Sequence, residues 1–414
     1  MNDEIKVFVG GILIDGTGAA PVENAVILIE SQKIVAVGER GEVDIPKGAK
    51  AIDVTGKTII PGLIDSHLHL SGGRPGESRS EGQMVEVTRK AIRASMDARS
   101  MLNMGYTAVR DCGSNLGIGL RNAINEGSVP GPRIVTSGMF VHNTFGHVGP
   151  KPLPLHIAEA LGHSYADGVD ECVKAVRSRL REGADFIKIA SGLYGESRRF
   201  PKCMPSYSFE EIKAITDEAH RSYTIVASHC QGKEGIITSV KAGVDTIEHG
   251  SELDEECAKL MKKHDIVFTP NFYIQTAVLE APIIRDRYSE DVKRKLEEGY
   301  FDIVKYCMEQ GVRIASGSDF SGGDTLLGLP MGKNAAELQA LVRAGLAPLD
   351  AIVSATKISA EALMLGDKIG TLEAGKLADI VVVNGDPLSD ISMLQEEARI
   401  GMVVKGGEIV VNRL

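Results

Sequence analysis

Through the middle of the chain, short apolar runs alternate with longer segments in which apolar residues recur at helical spacing. The short runs predict β-strands over residues 64–70, 107–113, 133–140, 186–190, 224–229, 246–250, 267–271 and 313–319. The longer segments predict helices over residues 85–103, 170–182, 209–222, 233–242, 254–264, 289–310 and 331–344. Glycines that are typical of a helix end follow several of these segments: Gly105, Gly183, Gly243, Gly311 and Gly345.

Strands that alternate with helices in this way predict an α/β fold with a parallel sheet, and a set of eight predicts a (β/α)8 TIM barrel over residues 61–371. A doubly wound open sheet is the structural alternative. That fold places a Gly-rich dinucleotide-binding turn after its first strand, and the sequence has no such turn there.

The two ends of the chain show a different pattern, in which short strands follow one another without helices. Residues 25–30 and 33–38 predict a hairpin, residues 6–14 predict two strands separated by a Gly-rich corner, and residues 380–383 and 400–411 predict a strand and a closing hairpin. Neither end has enough strands to close a core alone. We therefore expect residues 1–60 and 372–414 to form one small, discontinuous β-sandwich domain.

Charge and composition narrow the class of protein. The chain has 46 Lys and Arg against 56 Asp and Glu, so its net charge of −10 argues against a nucleic-acid partner. No apolar run reaches the ~18 residues of a membrane span, and the acidic first residues do not resemble a signal peptide. We therefore expect no membrane partner. The six scattered cysteines form no Cys-x-x-Cys pair, which indicates a reduced, cytoplasmic protein.

The candidate chemistry lies at strand ends. His67 and His69 are two residues apart in the first barrel strand, so their side chains point to the same face, which Asp65 shares. Two imidazoles on one face make half of a metal site. Later strands contain or end in Lys188, His229, His249 and Asp319. In a TIM barrel all of these residues would meet at the catalytic rim.

Each of these residues has an ordinary alternative. A strand-end His is often a hydrogen-bonded surface residue, a Lys in an apolar strand can pair with an acid, and an Asp after a strand is a common helix N-cap. For all six residues to occupy the rim by chance is a poor explanation. The set as a whole therefore favours a metal site.

Motifs at both ends of the predicted barrel extend the pattern. Residues 61–69 read Pro-Gly-Leu-Ile-Asp-Ser-His-Leu-His, and residues 370–381 read Gly-Thr-Leu-Glu-Ala-Gly-Lys-Leu-Ala-Asp-Ile-Val. With these motifs and the strand-end residues, the sequence resembles the amidohydrolase superfamily of metal-dependent hydrolases over nearly its whole length.

The resemblance implies a site with two metal ions, most often zinc. His67 and His69, with Asp319, would bind the more buried ion, and His229 and His249 would bind the second. An ammonium group cannot bind a cation. The resemblance therefore implies that the lysine of the fourth strand is carboxylated and bridges both ions; the full set of implied ligands is His67, His69, Lys188, His229, His249 and Asp319.

The implied reaction is hydrolysis of an amide C–N bond by a hydroxide that bridges the two metals. Two dications lower the pKa of a bridging water toward ~7, which gives hydroxide at neutral pH. Asp319 is expected to take the hydroxide proton and to deliver it to the leaving amine, so it would be both a ligand and a catalytic residue.

Within the superfamily, the sequence most resembles prolidase-like and Xaa-Arg/Lys dipeptidases, with imidazolonepropionases and ochratoxin-type amidases as relatives. The expected substrate is a dipeptide or an N-acyl amino acid. His147 lies in a glycine loop and is a candidate catalytic and substrate-binding residue. Gln231 stands where the dipeptidases have an aromatic residue, and it can donate hydrogen bonds without adding charge. Tyr194 is a further candidate substrate contact.

Two other functions remain open at this point. Hydrolysis of a cyclic amide or amidine, as in imidazolonepropionases, or deamination is the enzymatic alternative, and Lys188 argues against the mononuclear deaminases. A metal-free scaffold is the non-enzymatic alternative, although such members of the superfamily have typically lost ligands. Relatives often form homo-oligomers, and we expect the same here.

Overall fold

The computed structural model describes residues 5–74, 77, 82, 84–146, 154–160, 162–193, 203–281, 289–322 and 328–414. Within these residues the strands are β1 (Ile5–Leu13), β2 (Val22–Glu30), β3 (Lys33–Glu39), β4 (Lys50–Asp53), β5 (Thr58–Pro61), β6 (Leu63–Leu68), β7 (Tyr106–Asp111), β8 (Arg133–Thr136), β9 (Val141–His142), β10 (Ser164–Tyr165), β11 (Ile187–Ala190), β12 (Gly192–Leu193), β13 (Met204–Pro205), β14 (Val226–Cys230), β15 (Thr246–His249), β16 (Val267–Thr269), β17 (Arg313–Ile314), β18 (Ile380–Val383), β19 (Ile400–Lys405) and β20 (Glu408–Asn412).

The α-helices of the described residues are α1 (Val87–Asn103), α2 (Gly117–Asn125), α3 (Leu155–Ala160), α4 (Gly168–Glu182), α5 (Phe209–Arg221), α6 (Lys233–Ala242), α7 (Glu255–Lys263), α8 (Phe272–Glu280), α9 (Glu290–Gln310), α10 (Ala336–Arg343), α11 (Pro348–Val353) and α12 (Ser359–Ala362). A π-helical turn, Ser354–Ile358, joins the last two, and short 3-10 helices occupy Ile391–Gln395 and Glu397–Arg399. Each of these helices is too short or too polar to cross a membrane.

Parallel strands alternate with helices through the middle of the chain, which confirms the predicted α/β class. One parallel sheet has the strand order β10-β9-β11-β14-β15-β16-β17, and a second has the order β6-β7-β8. The eight predicted strands correspond to β6, β7, β8, β11, β14, β15, β16 and β17. The predicted glycine helix ends are also confirmed, because Gly105, Gly183, Gly243, Gly311 and Gly345 all have positive φ angles, which glycine adopts without steric cost.

Backbone hydrogen bonds connect the two parallel sheets. At one side, the amide of Asp185, just before β11, donates to Thr136 of β8 over 2.8 Å. At the other side, Ser66 of β6 donates to Ser316 over 2.8 Å, and Asp319 donates to His67 over 2.7 Å. The segment after β17 therefore lies against the first strand of the middle region.

Strands from both ends of the chain form one mixed sheet. Its order is β20-β19-β18-β5-β1-β2-β3, with β4 beside β1. The link between the ends is the antiparallel pairing of β18 with β5, in which Ile380 pairs with Pro61. Buried hydrophobic residues from both ends, including Phe8, Ile27 and Val382, share one cluster. The predicted hairpins at residues 25–38 and 400–411 are both confirmed.

The structure differs from the sequence expectation in several places, and the strand expected over residues 313–319 is limited to β17. The predicted Gly-rich corner near residue 10 does not divide β1, which continues through it with irregular register at Gly11. The strand expected over residues 133–140 stops at Thr136 and resumes at Val141, because Gly138 turns the chain with φ 59°. Helix α2 was not predicted because two glycines lower its helix propensity, and α8 was not predicted because it is apolar on nearly every side.

A glycine at the junction of the two regions gives a test of the packing. Gly62 lies between β5 and β6, and an added Cβ would be 2.6 Å from Cγ2 of buried Thr107 and 2.8 Å from its Cβ. We expect Gly62→Ala to lower the free energy of unfolding by about 1–3 kcal/mol, since overpacked cores must shift. Urea denaturation followed by circular dichroism measures this change.

Gly299→Ala is the matched control for that variant. Gly299 lies in the exposed part of α9, where an added Cβ meets nothing within 4 Å. This second variant should raise stability by about 0.5–1 kcal/mol because alanine favours helix over glycine. Equal midpoints for the two variants would contradict the packing at Gly62.

Candidate metal centre and active site

The predicted site residues lie at the carboxyl ends of neighbouring parallel strands. His67 is in β6, with His69 just beyond its end, and Asp319 follows β17. Three adjacent strands supply the remaining residues: β11 contains Lys188, β14 contains His229 and β15 ends at His249. Parallel strands present their carboxyl ends at one edge, so these side chains point toward a shared space.

Three of these side chains form a compact group of potential metal ligands. One nitrogen from each of His67 and His69 and one oxygen from Asp319 all lie within 4.8 Å of one another. Oδ1 of Asp319 is 3.1 Å from Nε2 of His69 and 3.6 Å from Nε2 of His67. Two imidazoles and a carboxylate are a common donor set for a divalent transition-metal ion.

The other predicted ligands lie beside this group. The His249 ring centroid is 5.1 Å from that of His67 and 4.3 Å from that of His229. Lys188 is buried, and its charge interacts with His67 and with His69. The structure thus brings all six predicted ligands into one region, whereas His147 and Tyr194 lie outside the described residues.

The protonation states suit metal binding. Burial lowers the pKa of His67 to about 3, and the charge of Lys188 adds to the lowering, so this ring is neutral at pH 7. Burial opposes ionisation of Asp319, but the hydrogen bond from His69 and the neighbouring histidines outweigh burial and hold its pKa below the usual range. Burial likewise opposes protonation of His69, and its bond to Asp319 raises its pKa. A cation could replace the proton that this pair shares.

A buried chain of charged groups orients His67. Nδ1 of His67 is 2.6 Å from Oε2 of Glu248, and Nη2 of Arg110 donates to Oε1 of the same carboxylate over 2.7 Å. Burial would raise the pKa of Glu248, but Arg110, Lys188 and His67 hold it well below its usual range. The ionised carboxylate accepts Nδ1–H, so Nε2 of His67 carries the lone pair and faces Asp319.

The backbone orients His69 in the same way. Its Nδ1 lies 3.0 Å from the carbonyl oxygen of Gly113, which can only accept a hydrogen bond. The ring therefore donates from Nδ1 and turns Nε2 toward Asp319. Both histidines of the first strand thus present the same nitrogen to one carboxylate oxygen.

Asp65 fixes the segment that contains Asp319. Its Oδ1 accepts the amide of His67 over 3.0 Å, and its Oδ2 accepts the hydroxyl of Ser318 over 2.6 Å and the amide side chain of Asn334 over 2.7 Å. Burial raises the pKa of Asp65 to about 6 despite these bonds. This carboxyl is a structural acceptor rather than a member of the ligand group.

Three of the eight non-glycine residues that have positive φ angles in the described part of the chain lie at the site. His249, Asn271 and Asp319 all have positive φ angles, at 73°, 50° and 57°, although none is a glycine. Such conformations cost free energy and are concentrated at functional sites. Each follows or ends a parallel strand, where the turn in the chain brings a side chain into the site.

Sequence reasoning missed Arg110, Glu248 and Asn271. Arg110 and Glu248 are fully buried in otherwise apolar strands, where a charge is costly unless it has a partner. One acid and one base in two such strands were a signal that they pair. Asn271 was predicted only as the end of a strand, and no sequence pattern marked its contacts.

Defined surroundings are also found for Cys230, the last residue of β14, and for Gln231, which follows it. Burial raises the pKa of Cys230 to about 12, which makes this thiol a poor nucleophile, and the side chain is fully buried as a packing residue. The side-chain oxygen of Gln231 is buried and has no hydrogen-bond partner among the described residues. None of the six cysteines, all of which lie in the described part of the chain, forms a disulfide.

The amidohydrolase family model matches residues 58–410. The ochratoxinase of Aspergillus niger is 32% identical over 440 aligned positions, which cover 99% of this chain and 87% of that protein. The crystal structure of A. niger ochratoxinase has a TM-score of 0.87 at 29% identity and covers 100% of this chain, with 96% of its own chain matched.

Two other relatives are similar over most of their length. A solved Xaa-Pro dipeptidase with methionine bound in its active site has a TM-score of 0.84 at 31% identity, with 98% of this chain and 99% of that chain covered. The imidazolonepropionase of Fusobacterium nucleatum subsp. nucleatum is 25% identical over 412 positions, with 88% and 86% covered. The chain therefore belongs to the amidohydrolase family and is a hydrolase that acts on carbon–nitrogen bonds.

Proposed function

We propose that this chain is a binuclear metal hydrolase that cleaves the amide bond of a dipeptide or an N-acyl amino acid. The grouping of His67, His69 and Asp319 beside Lys188 carries this proposal, because it gathers neutral nitrogen and anionic oxygen donors in one place. The similar Xaa-Pro dipeptidase, which holds methionine in its active site, supports an amino-acid product.

The residues present fit two divalent cations, which we propose are zinc. His67, His69 and Asp319 would hold one cation, and His229 and His249 would hold the other. Each donor group is of a type that zinc prefers.

Lys188 would bridge the two cations as a carbamate. Its Nζ is buried and has no hydrogen-bond partner among the described residues, and a buried charge without a partner is unfavourable. Addition of carbon dioxide to the neutral amine, with loss of one proton, would attach a carboxylate group to this nitrogen as a carbamate. Two cations ~3.5–4 Å apart can share such a group.

When bound, the cations supply Lewis-acid polarisation of the substrate carbonyl and make a water molecule more acidic. Asp319, which is ionised, would accept the proton of the attacking water at a carboxylate oxygen. It then returns this proton to the amide nitrogen as the C–N bond breaks, so the products are a carboxylate and an amine. Glu248 and Gly113 keep the two histidines oriented throughout.

Three residues are proposed to contact the substrate. His147 and Tyr194 lie outside the described residues and stay predictions from the sequence. Gln231 is supported by its buried side-chain oxygen, which has no hydrogen-bond partner in the described part of the chain. Since this amide adds no charge, it suits a carbonyl or amide group of the substrate as well as a carboxylate.

We also propose the finer architecture. The hydrogen bonds from Asp185 to Thr136 and from Ser66 to Ser316 support closure of the two parallel sheets into one TIM barrel over residues 61–371. The shared mixed sheet supports a β-sandwich domain made of residues 1–60 and 372–414. A homo-oligomeric state and a cytoplasmic location stay predictions from the sequence.

Hydrolysis of a cyclic amide or amidine is the second candidate function. The similarity to an imidazolonepropionase supports it, as does Gln231, which is a neutral residue where dipeptidases are expected to hold a substrate carboxylate. A substrate panel that contains both classes separates the two functions.

The metal content and substrate class are tested together. Protein purified without chelator should contain about two equivalents of zinc and should hydrolyse some members of a panel of dipeptides, N-acyl amino acids and cyclic amides. The double variant His67→Ala/His69→Ala should lose bound metal and turnover while it keeps its circular dichroism spectrum. Plasma emission spectroscopy and amine-release assays measure both quantities.

The matched control is His156→Ala/His264→Ala, which removes two exposed histidines that are not candidate ligands. This control should keep both metal and turnover. Turnover that survives in the His67 and His69 variant would contradict the metal mechanism. Turnover of cyclic amides alone would favour the second candidate function.

The buried chain behind His67 gives an independent prediction. We expect Glu248→Gln to weaken metal binding about 10–100-fold, as is typical for partners behind a ligating histidine. Competition with a chromogenic chelator measures the affinity. Glu252→Gln, an exposed residue four positions further along, is the matched control and should bind metal as the wild type does. Equal affinities for both variants would exclude an orienting role for Glu248.

A further inference from the structure

Helix α8 begins directly beside the candidate ligands. Asn271 precedes its first residue and is fully buried, with φ 50°. Its side-chain Nδ2 is 3.1 Å from Nδ1 of His67 and 3.2 Å from Nδ1 of His249. One amide thus contacts a candidate ligand of each proposed cation.

The neighbours of this amide determine which end faces the histidines. Nδ1 of His67 already donates its proton to Glu248, so an amino group at 3.1 Å would place two donors against each other. The oxygen of Asn271 at the other end has no hydrogen-bond partner among the described residues. The two ends of an amide are similar in size, so rotation by 180° removes the clash of donors at His67 and breaks no hydrogen bond made by the oxygen.

We propose that Asn271 is a positioning residue whose side-chain oxygen accepts Nδ1–H of His249 and lies against Nδ1–H of His67. This contact holds both rings in the tautomer in which Nε2 keeps the lone pair that can bind a cation. It orients the ring of His249 in the way that Glu248 orients His67 and Gly113 orients His69. The same asparagine therefore couples the orientation of two ligands on different strands.

Glu337 of α10 fixes the backbone on one side of Asn271. Its two carboxylate oxygens accept the first two amides of α8, those of Phe272 over 2.8 Å and Tyr273 over 2.6 Å. Glu337 is itself fully buried, so these bonds form away from solvent.

Gln275 fixes the other side. Its Nε2 donates to the carbonyl oxygens of His249, over 3.0 Å, and Pro270, over 2.6 Å, while its Oε1 accepts the hydroxyl of Ser251. The first turn of α8 is thus tied to the chain before Asn271 and to His249. This bracing explains how a non-glycine residue is held at positive φ with its side chain directed into the site.

Because Asn271 acts on the proposed cation site, the test measures the metal itself. Asn271→Gly removes the amide and relaxes the positive φ, whereas Asn271→Asp keeps an oxygen but has no amino group. We expect Asn271→Gly to lower zinc affinity about 10–100-fold and to change the visible absorption of the cobalt-substituted protein. Asn271→Asp should stay close to the wild type in the shape of that spectrum.

Asn24→Gly is the matched control, because Asn24 is an exposed asparagine with φ 49° in β2, far along the chain from the ligands. It should keep the wild-type zinc affinity and cobalt spectrum. Melting midpoints of the metal-free proteins check that all variants fold.

Several results would overturn the inference. If Asn271→Gly bound zinc as tightly as the wild type, with the same cobalt spectrum, Asn271 would not position the ligands. If Asn271→Asp were impaired as much as Asn271→Gly, the amino group and not the oxygen would be the working end. Failure of the wild type to bind metal would instead overturn the proposed function, and with it the role given to Asn271.

Discussion

The buried ionic chain from Arg110 through Glu248 to His67 is the interaction on which the site depends. It connects β7, β15 and β6, and all three side chains are essentially inaccessible to water. Loss of one partner from a buried ion pair costs about 3–5 kcal/mol, because the other charge is left without compensation. The three strands are therefore held in the register that brings His67 of β6 and His249 of β15 together. The orientation of the His67 imidazole follows from its contact with the Glu248 carboxylate.

Several carboxyl groups are buried in the same part of the protein as this ionic chain. Burial raises the pKa of Glu337 to about 8 and that of Asp65 to about 6, and each also raises the pKa values of its neighbours. Asp319 stays ionised because histidines surround it. A cation bound among these groups would favour their ionised forms, so the protein's own electrostatics make the region receptive to positive charge.

Much of the architecture was predictable because its signals are local. Alternating apolar runs located eight of the strands of the middle region, and glycine marked helix ends such as Gly243. The six candidate ligands could be named because strand ends converge in a parallel α/β fold, and the structure places them together. The buried charges of Arg110 and Glu248 were a signal of a pair, but the contact of Glu248 with His67 across 181 positions of sequence and that of Asn271 with His67 across 204 could not be named. No period or motif encodes contacts of that separation.

The strained residues at the strand ends have a consequence for engineering. His249, Asn271 and Asp319 each hold a conformation that glycine would adopt freely, at a cost of order 1–3 kcal/mol apiece. Selection for thermal resistance alone would therefore reward glycine at these positions, while the side chains of the candidate site would be lost. Variants screened only for heat tolerance would gain stability without the side chains of the candidate site. Stability and turnover must therefore be selected together in this scaffold.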